Sequence, residues 1–405
     1  MAPKRNRREF LQTTAAAAMV GAARPGAAAS GKPSRSTNIY LEKLNLRPVI
    51  NGVGTVTILG GSIMPPEVVQ AMAEASRHFV PLEELQQKVG DRIAELLQVP
   101  AAMVSCGAAS AITVATAACI AGSDRRRLQK LPDTTGLRNE VVIQKSHRSG
   151  YEAQIELVGA RLVWVENRAE LDRALGERTA MMFFLNKAGP QGVVKRDEWI
   201  RVGKARAVPT FSDAAADVPP PTRLSSIVKE GFDLVAFSGG KGLMGPQGAG
   251  LLLGRKDLVE TARYAISPHG GIGRGMKVGK EELIGLLAAV EHYLKLDHAA
   301  EQRRLEGRAA HILDALKAVK GVDASRHVPE IANEVPHVLL HWDEGGLKLT
   351  ASDVVKQLRD GEPPIAVSLT GEGEVRISVW MMQGEEHRIV ARRLKEVFSA
   401  RPATG

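Results

Sequence analysis

The sequence of 405 residues predicts an α/β fold, in which a mostly parallel sheet covered by helices is followed by a smaller C-terminal α+β domain. Two observations favour this fold class. From residue 101 onward, short apolar segments alternate with helical segments, and the apolar segments lack alternating polar positions, as is typical of strands buried on both faces. After residue 299 the order becomes helix, strand, helix, strand, helix, which is typical of a small α+β unit.

The chain from Pro48 begins with two amphipathic helices, because "VVQAMAEASRHFV" and "LEELQQKVGDRIAELLQV" have apolar residues at three-to-four spacing. A long helix over 280–298 is expected to join a large domain (48–298) to a small one (299–400). In the small domain, "HVLLHW" and "EVRISV" are predicted strands. In the large domain, the predicted strands are 101–105, 140–144, 161–165, 179–185, 207–213 and 233–238, and "GAGLLLG" follows the last of these.

Residues 1–29 predict a twin-arginine signal peptide. In "RNRREFLQ" the pair Arg7 and Arg8 precedes Phe10, a short alanine-rich apolar stretch follows, and small residues 27–29 offer a cleavage site. A disordered basic tail is the alternative. The apolar stretch is too short for a transmembrane helix, and residues 30–47 form a polar linker. We therefore expect an exported, periplasmic protein without a membrane attachment after cleavage.

Composition argues against a nucleic-acid partner. The net charge is +9, but the first 30 residues hold five basic residues and one acidic residue, so the rest of the chain is only modestly basic. Aromatic residues make up only 4%, which leaves few rings for base stacking. The two cysteines form neither a disulfide framework nor a zinc site, so no metal is expected.

One lysine stands among glycines at the end of the predicted strand 233–238. In "FSGGKGLMG", Lys241 follows Ser238 by three residues. Parallel strands end at one edge of a sheet, where ligands bind, so Asp213 at the end of "VPTFSD" is expected in the same crevice. A carboxylate there needs a cation, and glycines give a flat ligand close access to the amine. The alternatives are a turn lysine and an aspartate that caps a helix.

Pyridoxal 5'-phosphate is the cofactor that requires this set, because it needs a lysine for a Schiff base and a carboxylate beside its pyridine nitrogen. The helix that follows "SCG" offers its N-terminus to the phosphate, through Gly107, Ala108 and Ser110. His147, just after the strand 140–144, is expected to cover the ring, although its neighbour Arg148 or a plain surface role competes with this interpretation.

Further stretches carry a family resemblance. "VINGVGTVTILGGSIMPPEVVQAM", "VSCGAASAITVATAACIAG", "FSDAAADVPP", "LVAFSGGKGLMGPQGAGLLLGRKDLV" and "GRGMKVGKEELIGLLAAVE" resemble the bacterial selenocysteine synthase (L-seryl-tRNA selenium transferase)-like family. They look nearer to its smaller D-glucosaminate-6-phosphate ammonia-lyase-like members. The resemblance covers about residues 44–300 in recognisable motifs. It implies the aspartate-aminotransferase fold, which is fold type I of the pyridoxal-phosphate enzymes.

The resemblance also implies residue roles. Lys241 would carry the Schiff base, Asp213 would pair with the pyridinium nitrogen, Ser238 and the turn 107–110 would hold the phosphate, and His147 would stack on the ring. Sites of this fold are built between two subunits, so a homodimer or larger homo-oligomer is expected. The chain departs from the pattern at Cys106, where Ser or Thr is expected, and it lacks the basic N-terminal domain with which tRNA-acting members grip tRNA.

Three further residues are candidates for the site. Asn186 either donates to the ring oxygen of the cofactor or belongs to a turn. Arg274, at the start of a long helix where a cation is unfavourable, either binds a phosphate or carboxylate, in its own subunit or across a subunit interface, or flanks the helix in solvent. Arg376 in "EVRISV" either holds the substrate carboxylate or forms a salt bridge within a strand.

The predicted function is a pyridoxal-phosphate-dependent lyase or transferase that acts on a small amino acid or amino sugar acid. Elimination or ammonia-lyase chemistry is the preferred reaction, with Lys241 as the base that removes the α-proton. Transamination and racemisation remain alternatives, because they share the first steps of the elimination. Selenium transfer to seryl-tRNA and a non-catalytic exported relative are further alternatives.

Overall fold

The computed structural model describes residues 38–371 and 373–399. The predicted signal peptide, with Arg7 and Arg8, and residues 30–37 of the predicted linker lie outside the described residues. Among the described residues, 38–48 belong to a unit of their own, which contains helix α1 (Ile39–Leu44). This helix is capped by Asn38, whose side chain accepts the backbone N–H of Tyr40 at 3.1 Å. The second unit, Val49–Gly405, holds every other element.

A seven-stranded sheet forms the centre of the second unit. Its order is β2-β8-β7-β6-β5-β3-β4, and all neighbouring strands are parallel except those that flank β8. The strands β2, β3, β6 and β8 are buried at every position, as expected for a sheet covered on both faces, and the mostly parallel sheet with its helices confirms the predicted α/β class. The strands of the chain are β1 (Ile50–Gly52), β2 (Ala102–Ser105), β3 (Glu140–Gln144), β4 (Arg161–Val165), β5 (Thr179–Leu185), β6 (Thr210–Asp213), β7 (Leu234–Ser238), β8 (Gly250–Gly254), β9 (Val322–His327), β10 (His337–Trp342), β11 (Ile365–Leu369) and β12 (Val375–Ser378).

Helices cover both the large sheet and a smaller one. Helix α4 is apolar on all sides and packs on the large sheet, so nearly all of its side chains are buried. Three-residue 3-10 turns at Thr57–Leu59 and Lys145–His147 and a longer one at Asn186–Gln191 complete the elements. The helices after α1 are α2 (Pro66–Ala75), α3 (Leu82–Leu97), α4 (Gly107–Ala121), α5 (Arg125–Lys130), α6 (Ala153–Glu156), α7 (Arg168–Ala174), α8 (Arg196–Arg206), α9 (Arg223–Glu230), α10 (Lys256–Tyr264), α11 (Lys280–Lys295), α12 (His298–Leu316), α13 (Glu344–Leu347), α14 (Ala351–Asp360) and α15 (Glu386–Ser399).

The small sheet has five strands in the order β1-β11-β12-β10-β9. Its first strand comes from the beginning of the chain, since Ile50 pairs in parallel with Ile365. The apolar core is accordingly divided into two clusters, and Ile50 belongs to the cluster otherwise formed by residues 305–397. The predicted boundary at residue 48 therefore places β1 in the wrong domain, because a three-residue strand carries no information about its pairing partner.

The predicted helix 280–298 is observed as α11, which ends three residues earlier, at Lys295. The helix predicted after residue 299 is α12, and Asp297 caps it by accepting the backbone N–H of Ala300 at 2.9 Å. Between residues 38 and 399, apart from 372, no helix is both long and apolar enough to cross a bilayer.

Candidate functional site

A cavity of about 730 Å³ opens at the carboxyl edge of the large sheet. Lys241 and Asp213, which sequence reasoning placed at this edge, both line it. Asp213 is the last residue of β6, and Lys241 follows β7 by three residues. The 3-10 turn after β1 contributes Thr57, and the loop before β10 contributes Asn333, so both sheets supply walls. The fold therefore brings the two predicted groups together.

The glycines around Lys241 make room for the protein itself. A Cβ on Gly242 would lie 2.0 Å from the carbonyl oxygen of Val218 and 3.3 Å from the ring of Trp380 in the small domain. A Cβ on Gly240 would lie 2.4 Å from the Cα of Gln247. At these two positions the absence of a side chain makes room for protein atoms, and close access of a flat ligand to the amine of Lys241 stays a prediction. The two glycines let the lysine turn pack tightly, which fixes the position of the amine.

Burial sets the charge state of the two groups. Burial is the main cause that lowers the pKa of Lys241 below the usual lysine value, and Lys187 lowers it further, while Asp213 acts in the opposite direction. The pKa of Asp213 is raised, again chiefly by burial, although the backbone N–H of Ala215 donates to it at 3.0 Å and Lys241 attracts it. Each group thus resists ionisation, which suits an amine that must act as a nucleophile and a carboxyl that must meet a cation.

The N-terminus of α4, with Gly107, Ala108 and Ser110, forms a candidate anion cradle after β2, although none of these residues, nor Ser238, is among those that line the cavity. Gly107 has a φ of +77°, and a Cβ there would meet no atom within 4 Å, so the turn is open on that side. The hydroxyl of Ser110 is buried and has no hydrogen-bond partner among the described residues. Ser238 pairs with Gly250 of β8, which packs under the Gly107–Ala108 peptide. Backbone N–H groups at the N-terminus of a helix and an unpaired hydroxyl are donors that a phosphate can use, and the helix dipole favours its negative charge.

These features fit pyridoxal 5'-phosphate. The cradle of Gly107, Ala108 and Ser110 suits its phosphate, the buried carboxyl of Asp213 suits a cationic ring nitrogen, and the amine of Lys241 suits its aldehyde. The roles of these residues and of Ser238 remain predictions.

His147 does not line the cavity, so the predicted stacking on the cofactor ring is wrong for this structure. Its ring is fully buried and lies edge-on to Phe184, with centroids 4.4 Å apart. Its Nδ1 accepts the backbone N–H of Leu185 at 3.1 Å, and burial lowers its pKa to about 4. The neighbouring Arg148, which competed for this position, lines the cavity instead.

Asn186 also lies behind the cavity wall. Its side-chain amide donates to the carboxylate of Asp217, and its oxygen accepts from Arg196 at 3.1 Å. Both ends of its side-chain amide are engaged by protein groups, and Asn186 is not among the residues that line the cavity, so a contact with the ring oxygen finds no support in this structure.

The two predicted substrate arginines are absent from the cavity wall. Arg376 lies within β12, opposite Leu339 and Ser368. The last residue of this strand, Ser378, lies nearer to the site, beside Gly54. The prediction that Arg376 binds substrate in this cavity is therefore wrong. Arg274 is exposed and donates to Ser267 at 3.1 Å. A role in the site of this chain is excluded, and a role across a subunit interface stays a prediction.

Three charged residues of the site escaped sequence reasoning as site residues. Asp217, Arg148 and Lys187 all line the cavity. Among the described residues, neither Arg148 nor Lys187 forms an ion pair. The signals were present, because Asp217 follows Asp213 by four residues in "DAAAD" and Lys187 follows the strand β5. Arg148 was considered only as a competitor of His147.

Comparison with known proteins identifies relatives. The L-seryl-tRNA selenium transferase family profile matches residues 172–306. The D-glucosaminate-6-phosphate ammonia lyase of Salmonella typhimurium is 32% identical over 336 residues, which are 80% of this chain and 88% of the relative. The 5'-C-glycyluridine monooxygenase-decarboxylase of a Streptomyces species is 33% identical over 382 residues, with 90% and 93% covered.

A solved structure of D-glucosaminate-6-phosphate ammonia-lyase superposes with a TM-score of 0.76 at 30% identity, over 90% of this chain and 98% of that chain. The similarity extends over nearly the whole of both chains. The chain therefore belongs to the family of fold type I pyridoxal-phosphate enzymes that contains L-seryl-tRNA selenium transferase and D-glucosaminate-6-phosphate ammonia lyase, and pyridoxal 5'-phosphate is its cofactor.

Proposed function

We propose that the protein is a lyase that eliminates a β-substituent or ammonia from a small amino acid or amino sugar acid. One observation carries the proposal: the amine of Lys241 is buried in the cavity wall near the carboxyl of Asp213, and its pKa is lowered. An unprotonated amine can take the proton from the α-carbon of a substrate. The bound cofactor supplies a sink for the electron pair left on that carbon. The names of two relatives, an ammonia lyase and a monooxygenase-decarboxylase, support chemistry at such a carbon.

A screen of the holoenzyme tests this function. Amino acids and amino sugar acids are incubated in deuterated water, and exchange of the α-hydrogen is followed by NMR together with release of ammonia. We expect exchange and ammonia release for at least one substrate class. Exchange without ammonia release would favour racemisation or transamination, and absence of exchange from the whole panel would contradict the proposed role of Lys241.

Oxidative decarboxylation is the second candidate, because the monooxygenase-decarboxylase relative is as similar as the ammonia lyase. The same screen separates the two reactions. Oxygen consumption with release of carbon dioxide would identify decarboxylation, whereas an elimination proceeds equally well without oxygen. Selenium transfer to seryl-tRNA would instead require a mobility shift of seryl-tRNA by the purified protein.

Arg148 and Lys187 are proposed to hold the carboxylate or another anionic group of the substrate, in place of Arg376 and Arg274. Both cations line the cavity without an ion pair among the described residues. Changing either to Met is expected to lower kcat/KM by about 10- to 100-fold, mainly through KM, because a charge-assisted hydrogen bond contributes about 1.5–3 kcal/mol.

A nearby paired cation provides the matched control. Lys145 is exposed and already bound to Glu166 at 2.6 Å, so Lys145→Met is expected to leave kcat/KM unchanged. A loss for Lys145→Met equal to that for Arg148→Met would contradict a specific role for Arg148.

We also propose export through the twin-arginine route, on the basis of Arg7 and Arg8 before Phe10 and an alanine-rich stretch. Changing Arg7 and Arg8 to Lys keeps the charge but removes the pair that the route recognises. The variant is expected to remain uncleaved in the cytoplasm, as measured by cell fractionation and mass spectrometry. Unchanged secretion of the variant would contradict the assignment.

A further inference from the structure

The cavity wall contains a second acidic residue, to which the proposed function assigns no role. Asp217 lies in the loop after β6 and lines the cavity together with Lys241, although only 1% of its surface is exposed. One carboxyl oxygen, Oδ2, accepts from the amide of Asn186. The other, Oδ1, is buried and has no hydrogen-bond partner among the described residues. A buried oxygen without a partner is costly, so such an atom is commonly retained for a ligand or a reaction.

Residues that do not line the cavity fix the orientation of the Asp217 carboxyl. Asn186, which donates to it, is itself fixed by Arg196 at 3.1 Å, and Arg196 pairs with Glu230 at 3.0 Å. This chain of contacts occupies Oδ2 and fixes the orientation of the carboxyl. It leaves Oδ1 without a protein partner, on a residue that lines the cavity.

The charges around Asp217 allow it to carry a proton. Burial is the largest cause that raises its pKa to about 6, the bond from Asn186 lowers the pKa, and Asp213 raises it. Arg223 lowers the pKa and Glu334 raises it, and these two form an ion pair at 3.1 Å. Lys241 faces the same cavity. A group that gains and loses its proton near neutral pH is suited to acid catalysis.

We infer that Asp217 is the general acid that protonates the leaving group of the substrate. The inference rests on the proposed elimination. When Lys241 Nζ takes the α-proton, the electron pair of that bond forms the second bond between the α- and β-carbons. The bond from the β-carbon to a hydroxyl oxygen breaks, its electrons stay on the oxygen, and Asp217 donates its proton to that oxygen. Water leaves, and Asp217 remains as a carboxylate.

A pH titration of the holoenzyme without substrate tests whether Asp217 carries a proton. We expect the infrared carbonyl band of a protonated carboxylic acid to titrate with a midpoint near pH 6 and to be missing from Asp217→Asn. In Asn186→Ala the midpoint should rise, because the bond from Asn186 lowers the pKa. A wild-type spectrum without a band that depends on Asp217 between pH 5 and 7 would overturn the inference.

The leaving group provides the second test, with D- and L-serine and D- and L-β-chloroalanine as probes. Hydroxide needs a proton to leave, whereas chloride does not. Asp217→Asn is expected to slow elimination from serine by about 10²- to 10⁴-fold and to change elimination from β-chloroalanine by less than about 3-fold. The exposed acid Asp197, paired with Arg201, gives the matched control Asp197→Asn, which should change neither reaction.

The outcomes separate two failures. Equal losses with both probes, together with loss of α-hydrogen exchange, would mean that Asp217 only positions or tunes Lys241, and the inference would be overturned. Wild-type protein that exchanges no α-hydrogen would contradict the proposed function itself. Unchanged cofactor absorbance in Asp217→Asn confirms that the variant is folded and loaded in either case.

Discussion

Lys241→Ala is expected to abolish both the absorbance of the covalently bound cofactor and turnover. The residue is proposed to supply the amine that attaches the cofactor and the base that removes the α-proton. Losing both roles should lower kcat by at least about 10³-fold, since a positioned base alone contributes about 10²–10⁴-fold. Absorbance spectra and single-turnover assays of the purified protein measure the two effects.

Folding should survive the change, because Lys241 lines a cavity and is not part of either apolar cluster. Circular dichroism of Lys241→Ala should match that of the wild type. Lys145→Ala removes an exposed lysine that is bound to Glu166, and it should keep both colour and activity. If Lys241→Ala retained both, "SGGKG" would be only a tightly packed turn.

Asp213→Asn should retain the attached cofactor and lose most activity, by about 10²-fold or more, because a neutral amide cannot keep the ring nitrogen protonated. The cofactor-free variant should nevertheless be more stable than the wild type at neutral pH. The folded-state pKa of Asp213 is raised, so its contribution to stability is present below the unfolded pKa and is lost as the pH rises through the folded pKa. Asparagine does not titrate and avoids that loss.

Thermal unfolding between pH 4 and 8 and steady-state kinetics together check this prediction. The exposed Asp197, which is paired with Arg201, supplies the control Asp197→Asn, for which neither activity nor the pH dependence of the unfolding temperature should change appreciably. A destabilised Asp213→Asn protein at neutral pH would show that the carboxylate is better solvated in the cavity than its burial indicates.

The large sheet was predictable because most of its strands are short, largely apolar segments with a helical segment after them, and parallel strands end at a common edge. Lys241 and Asp213 stand at such ends, so their joint presence in the cavity followed from position alone. The strand β1 was not predictable, because three residues have no periodicity and its partner β11 lies near the other end of the chain.

Side-chain direction explains the errors at the site. His147 and Arg148 are adjacent, and only backbone geometry decides that the histidine points into the core while the arginine reaches the cavity. Asn186 was correctly placed at the edge, but its amide is engaged by Asp217 and Arg196. Sequence motifs do not reveal hydrogen bonds between residues that are far apart in the sequence.

The parallel pairing of β1 with β11 has a consequence for the order of folding. The seven-stranded sheet and the lysine turn are complete once the chain has passed Gly254, whereas the small sheet needs Ile50 to meet Ile365. Contacts between such distant segments form late, because loop closure must precede them. The cavity wall around Thr57 directly follows β1. During synthesis, the part of the cavity that holds Lys241 and Asp213 should therefore mature before the wall around Thr57.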